Sequence, residues 1–98
     1  MAMDVECVAN GLGHNDRVPC SVALVGESVL LVKKIKPPLV VSYLTEITGF
    51  RESDLLDARS FEEVRGQLLS HLGPHVVLVG QRVQNDIAWM QLIKVVFP

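Results

Sequence analysis

No apolar run in this sequence approaches the length of a membrane-spanning helix. The run at residues 76–79, like the others, is bounded by Gly, Pro or charge, long before the roughly 20 residues a span requires. The N-terminus has no basic stretch leading into an apolar segment and a small-residue cleavage site, so secretion is not expected and a nuclear or cytoplasmic location is. Zinc ligation is poorly provided for. Cys7 and Cys20 are isolated in apolar surroundings without a CxxC pair, which suits small buried hydrophobes. His71 and His75 have a helical ligand spacing, but Gly73 and Pro74 between them break any helix, and with His14 they are expected at the surface. A formal net charge of −2 gives no general attraction to nucleic acid, so any such contact has to be local. There is no phosphate-binding P-loop and no Ser/His/Asp nucleophile arrangement. Gly11-Leu12-Gly13 lacks the third glycine of a dinucleotide loop and precedes a strand-like segment, so it is expected to be a turn.

What is present is core-forming sequence: 49% of the 98 residues are hydrophobic and 20% charged, in the range of one small globular domain or part of one. Residues 1–9 are apolar at nearly every position except Asp4 and Glu6, and the turn-prone segment 10–16 follows, which reads as a strand buried on at least one face. Residues 18–25 and 28–34 are two more strand-like runs joined at Gly26 and Glu27, a connection suited to an antiparallel hairpin. Pro37 and Pro38 end the third, and residues 39–50 form a mostly irregular link with a turn signal at Thr48 and Gly49. Ser60 followed by Glu63 is a capping box, and Phe61, Val64, Leu68 and Leu72 continue at helical spacing. A short fourth strand over residues 76–79 and a second helix from about Val83 through Lys94 complete an α/β order, with the fourth strand joined through a crossover helix. Lys33, Lys34 and Lys36 suit a track for a phosphate backbone and, with more weight, an exposed sheet edge, where lysines discourage further pairing.

Asp4 and Glu6 are two residues apart in a strand, so both project from one face while Met3, Val5 and Cys7 point to the other. Two unpaired anions at such range repel and raise each other's pKa; a hard divalent cation with oxygen ligands relieves both. The pattern by itself equally suits solvent-facing carboxylates on an open sheet face. Asp86, in the first turn of the second helix, gains roughly 0.3–1 kcal/mol from the helix dipole alone. The topology adds that a strand-to-helix junction beside the first strand would bring Asp86 toward the Asp4 and Glu6 face.

The stretches MDVECVA, SYLTEITGF and VLVGQRVQNDIAWMQL, in that order and spacing, resemble successive blocks of the DEDD (DnaQ-like) 3'-to-5' exonucleases, in particular the small eukaryotic RNA exonuclease branch. The resemblance implies a ribonuclease H-like fold: a three-stranded antiparallel meander, a parallel fourth strand, and helices. Asp4 and Glu6 match the acidic pair of the first motif, and Asp86, next to Asn85 and four residues after Arg82, matches the acid of the second. By resemblance all three are catalytic and hold Mg²⁺ or Mn²⁺, two ions in the complete domain: Asp4 shared between them, Glu6 on the ion that activates water, Asp86 on the one facing the leaving oxygen. The substrate implied is the 3' end of single-stranded RNA or DNA, RNA in preference. Thr48 and Phe50 match the loop near the terminal nucleotide, and the backbone beside Cys7 matches the one facing the 3'-hydroxyl. Two departures accompany the match. Gln81 stands where relatives have His. The sequence reaches Pro98 before a third block, with its general-base His and fourth Asp, so residues 1–98 are expected to be a partial exonuclease domain without the family's final strand and helix, in which Trp89, Ile93, Val96 and Phe97 would be left exposed. The competing expectation is a catalytically inactive nucleic-acid-binding or protein-interaction module of the same fold.

Overall fold

The computed structural model describes residues 1–73 and 75–92. Three strands, β1 (Ala2–Ala9), β2 (Arg17–Val25) and β3 (Val29–Lys34), form an antiparallel meander in the order β1-β2-β3. The alternation predicted for the first strand is present: Met3, Val5 and Cys7 are buried, whereas Asp4 is exposed and Glu6 half-buried. β2 runs through the sheet centre although it contains Pro19, which has no N–H to donate. The register explains how. Glu6 pairs with Ser21 and Cys7 with Pro19, leaving Cys20 as the extra residue of a bulge, one of the few places a proline fits within a sheet.

Beyond β3 the chain crosses the sheet end, touching Ala9 through Ser42, and makes a one-turn helix α1 (Thr45–Thr48) and a 3₁₀ turn (Glu52–Leu55). Both lie in or next to the segment expected to be irregular, and both are too short to carry a periodic apolar pattern. Helix α2 (Phe61–Leu69) begins as expected, with Ser60 Oγ accepting a hydrogen bond from the Glu63 N–H at 3.2 Å. It buries Val64 and Leu68 in one core with Met3, Val5, Val22 and Leu24, each such side chain contributing roughly 1.5–3 kcal/mol. A smaller cluster of Val8, Cys20 and Leu55 is covered by Tyr43 and Phe50.

The expected fourth strand is reduced to a short contact. Val79 forms an isolated parallel bridge with Ala2; its N–H donates to the Met1 carbonyl at 2.9 Å and its carbonyl accepts from the Met3 N–H at 3.0 Å. The direction is parallel, and the pairing continues only one step further, where the Met1 ammonium donates to the Val77 carbonyl at 3.0 Å. Upstream, the Val76 N–H closes a turn onto the Gly73 carbonyl at 3.2 Å, and downstream Gly80 leads into α3 (Val83–Trp89). α3 is also shorter than its periodicity predicts, because Gln91 adopts a left-handed conformation with φ 54°. Arg65 of α2 caps this end, donating from Nε to the Met90 carbonyl at 3.1 Å and from Nη2 to the Gln91 carbonyl at 2.7 Å. Trp89, expected to be exposed, is half-buried against the main core; Ile93, Lys94, Val96 and Phe97 lie outside the described residues.

Gly80, in the link from Val79 to α3, lies close against β1: a methyl group there would lie 2.6 Å from the Met3 carbonyl oxygen. Gly80→Ala is therefore expected to cost about 1–3 kcal/mol of stability through forced separation. Gly66→Ala, on the exposed face of α2 with nothing within 4 Å of an added methyl, is expected to add up to about 1 kcal/mol. Urea unfolding followed by circular dichroism compares the two, and a stabilising Gly80→Ala would contradict the close approach.

Candidate functional site

β1 is an edge strand, and its outer edge organises the site. Backbone N–H groups two residues apart leave a strand on the same side, so those of Met3, Val5, Cys7 and Ala9 all face outward. The first donates to Val79 and the last to the Ser42 carbonyl at 2.8 Å. Between these two closures α3 lies against β1 and presents Asp86 to Val5.

Asp86 is the one charged residue among the described residues that is buried, 4% exposed, and its Oδ2 has no hydrogen-bond partner. Burial pushes its carboxyl up to about 6; the charges of Asp4 and then Glu6 push the same way, and the Val5 N–H opposes them. Glu6 is also raised, first by burial and then by the neighbouring carboxyl of Asp4. The three carboxylates therefore act on one another across the edge of β1. They are not gathered into a closed ligand set: among the described residues no three His, Cys, Asp or Glu side chains are grouped tightly enough to hold an ion. Three like charges favour such separation until a cation offsets them.

Asp4, Val5 and Asp86 border a cleft of about 280 Å³, whose other wall is Gln81, Arg82, Asn85 and Trp89. Arg82 occupies a left-handed backbone conformation, φ 53°, immediately before α3, a position of strain in a non-glycine residue.

The other predicted site residues fall nearby in different ways. Thr48 spends its hydroxyl on its own turn, donating to the Tyr43 carbonyl at 2.9 Å and accepting from the Phe50 N–H at 3.0 Å. Phe50 packs against the cluster around Val8, which by alternation shares a face with Asp4 and Glu6. The Cys7 side chain is buried in the main core, and burial first, then Cys20, Asp86 and Glu6, push its thiol up to about 12. Cys20 is raised to about 11, chiefly by burial. Both are thiols rather than nucleophilic thiolates at neutral pH.

No family model matches the chain. Over 94 residues it is 34% identical to human interferon-stimulated 20 kDa exonuclease-like 2, covering 93% of this chain and 26% of that protein. It is 32% identical over 95 residues to RNA exonuclease 4 of Cryptococcus neoformans, covering 94% of this chain and 23% of the other. Over most of its length the chain is thus similar to proteins named as exonucleases, one of them an RNA exonuclease. It spans about a quarter of the length of the curated relatives it matches.

Within the frame of these exonuclease relatives, the cleft contains residues that motif reading undervalued. Arg82 and Asn85 served there only to frame Asp86, and Trp89 only as an apolar surface residue. All three line the cleft because α3 and the residue that precedes it pack there; nothing in local spacing signals this.

The raised Asp86 pKa sets a pH dependence. An unfolded Asp titrates near about 3.9, so the native fold binds this proton more tightly. The associated stability is full below about pH 4 and is lost as pH rises through about 6. In metal-free buffer, Asp86→Asn is therefore expected to melt at a higher temperature than wild type at pH 7, with the gap closing toward pH 4. A gap that stays constant with pH would show that Asp86 is not held as described.

Proposed function

We propose that this chain carries the first two acidic blocks of a metal-dependent nuclease that removes nucleotides from the 3' end of single-stranded nucleic acid, RNA in preference to DNA, on a ribonuclease H-like framework. The observation that carries this reading is Asp86: a buried carboxylate with an orphaned oxygen, in electrostatic contact with Asp4 and Glu6. Buried polar atoms ordinarily have a partner, and an orphan carboxylate oxygen that feels the charges of two further carboxylates is suited to a hard cation. The relatives named as exonucleases support the reaction class.

Asp4, Glu6 and Asp86 would hold Mg²⁺ or Mn²⁺, and such ions, when bound, neutralise charge on the phosphate and acidify water. The chain's own groups have distinct tasks. The Val5 N–H favours the charged form of Asp86, keeping it competent as a ligand. The Cys7 N–H, which lies between the closures at Val79 and Ser42, would donate to the sugar of a terminal nucleotide, while the Cys7 thiol stays protonated in the core. Thr48 fixes the turn that seats Phe50, giving the terminal base an apolar wall on the acidic face. The general base would come from the third block of the family, which contributes about 10²–10⁴-fold.

Two measurements test the reading. Titration calorimetry with Mg²⁺ or Mn²⁺ is expected to give weak binding heats that disappear in Asp4→Asn/Asp86→Asn; identical heats from both proteins would favour an open acidic face. In a gel time course on 5'-labelled single-stranded RNA, the chain joined to a third block is expected to give a stepwise ladder that EDTA or Asp4→Ala abolishes, while residues 1–98 alone give little product. Activity that survives Asp4→Ala would replace the nuclease reading with that of a binding module.

A further inference from the structure

A second cleft, of about 230 Å³, adjoins the acidic one and shares Asn85 and Trp89 with it. Its far wall is the loop between β1 and β2, through His14 and Asn15, with Arg17 at the start of β2. The first cleft holds two carboxylates beside the Arg82 guanidinium; the second holds no carboxylate but the Arg17 guanidinium and the His14 imidazole, and the Trp89 indole belongs to both.

The loop is built to hold Arg17 in place. The Asn10 N–H donates to the Asp16 carbonyl at 3.1 Å, the Asp16 N–H to the Gly13 carbonyl at 3.1 Å, and the Gly13 N–H to Asp16 Oδ2 at 2.9 Å. Side chains at Gly11 or Gly13 would collide with the Asp16 carboxylate, at 2.5 Å and 2.9 Å, which accounts for the glycine pair without a dinucleotide site. Arg17 Nη1 donates to the carbonyls of Gly13 and Asp16 at 3.3 and 3.0 Å. Those partners are neutral, and among the described residues Arg17 forms no ion pair. It is thus an oriented cation with donors left for an anion.

We propose that this second cleft is a nucleotide subsite, in which Trp89 stacks on the base and Arg17 binds the phosphate of the nucleotide next to the one at the acidic cleft. The inference rests on the nuclease reading of Asp4, Glu6 and Asp86. A single strand repeats base and phosphate at short intervals, and two clefts with a common wall match that repeat. A chain of net charge −2 lacks a general field for RNA, so attraction falls to fixed local cations. An aromatic face accepts any base, as a nuclease trimming mixed sequence requires.

Trp89 is the only tryptophan of the chain, so its fluorescence reports occupancy of the two clefts that share it, and the Arg17 variants assign the signal to the second. With the full chain in Mg²⁺, a phosphorothioate single-stranded RNA hexamer is expected to quench it saturably, and uridine 5'-monophosphate at equal concentration is not. Arg17→Gln should weaken hexamer binding about tenfold and reduce the slope of log affinity against log salt by about 0.7. Arg17→Lys, which keeps the charge, should restore the slope; Trp89→Phe, scored by anisotropy of a labelled hexamer, should keep most of the affinity. Wild-type affinity and slope in Arg17→Gln, an unquenched Trp89, or equal binding of a hexaglutamate peptide would overturn the subsite. Metal titration separates the two ideas. Normal heats with an indifferent Arg17 remove only this inference, whereas absent heats with Arg17-dependent quenching remove the nuclease reading and retain nucleotide binding at Arg17 and Trp89.

Discussion

The outer edge of β1 is a row of backbone N–H groups with no fourth full strand to receive them, and an unanswered edge is unstable or sticky. The chain answers it piecemeal. Val79 takes Met3, Ser42 takes Ala9, and α3 covers the middle. This arrangement requires Gly80, because any side chain there would meet the Met3 carbonyl. A continuous fourth strand along the whole of β1 would have occupied the place where Asp86 now reaches Val5. The shortness of the pairing at Val79 and the existence of the acidic cleft are two aspects of one constraint.

The cleft gathers its character from what the edge leaves uncompensated. Asp86 is buried without a partner for Oδ2, and its proton is held against the charges of Asp4 and Glu6. Such an arrangement reduces stability when all three acids are ionised, a cost proteins carry at functional sites. The surrounding scaffold is correspondingly tied down. Arg65 links α2 to the end of α3 through two carbonyls, fixing the helix that bears Asp86, Asn85 and Trp89. The loop from Asn10 to Arg17 is closed by its own hydrogen bonds at the opposite side. Acidic and basic walls therefore stand on elements whose positions are set independently of any ligand.

The relationship to RNA exonucleases gives these features a common context without covering all of them. The matched relatives are about four times as long as this chain, and their printed names speak for those whole proteins. What belongs to this chain is the pairing of an acidic cleft with a cationic, aromatic neighbour across Asn85 and Trp89. On the proposed reading, the two clefts divide the work on a polyanion, ions at one phosphate and an arginine at the next.

Local chemistry written in the sequence determined the meander, the capped α2, and the sidedness of Asp4 and Glu6, because alternation and capping depend on residues only a few positions apart. It also marked Asp86, through its place at the start of a helix and its fit to a family motif. The sequence overstated the fourth strand and the length of α3, since neither the Val76 turn nor the left-handed Gln91 leaves a periodic signal. Only the tertiary structure decided that Asp86 is buried with an orphaned oxygen, that Trp89 lines two clefts, and that Arg17 stands across from Asn85. Those facts join residues some 70 positions apart in the chain, and only packing of α3 on the edge of β1 brings them together, a contact that no local pattern encodes.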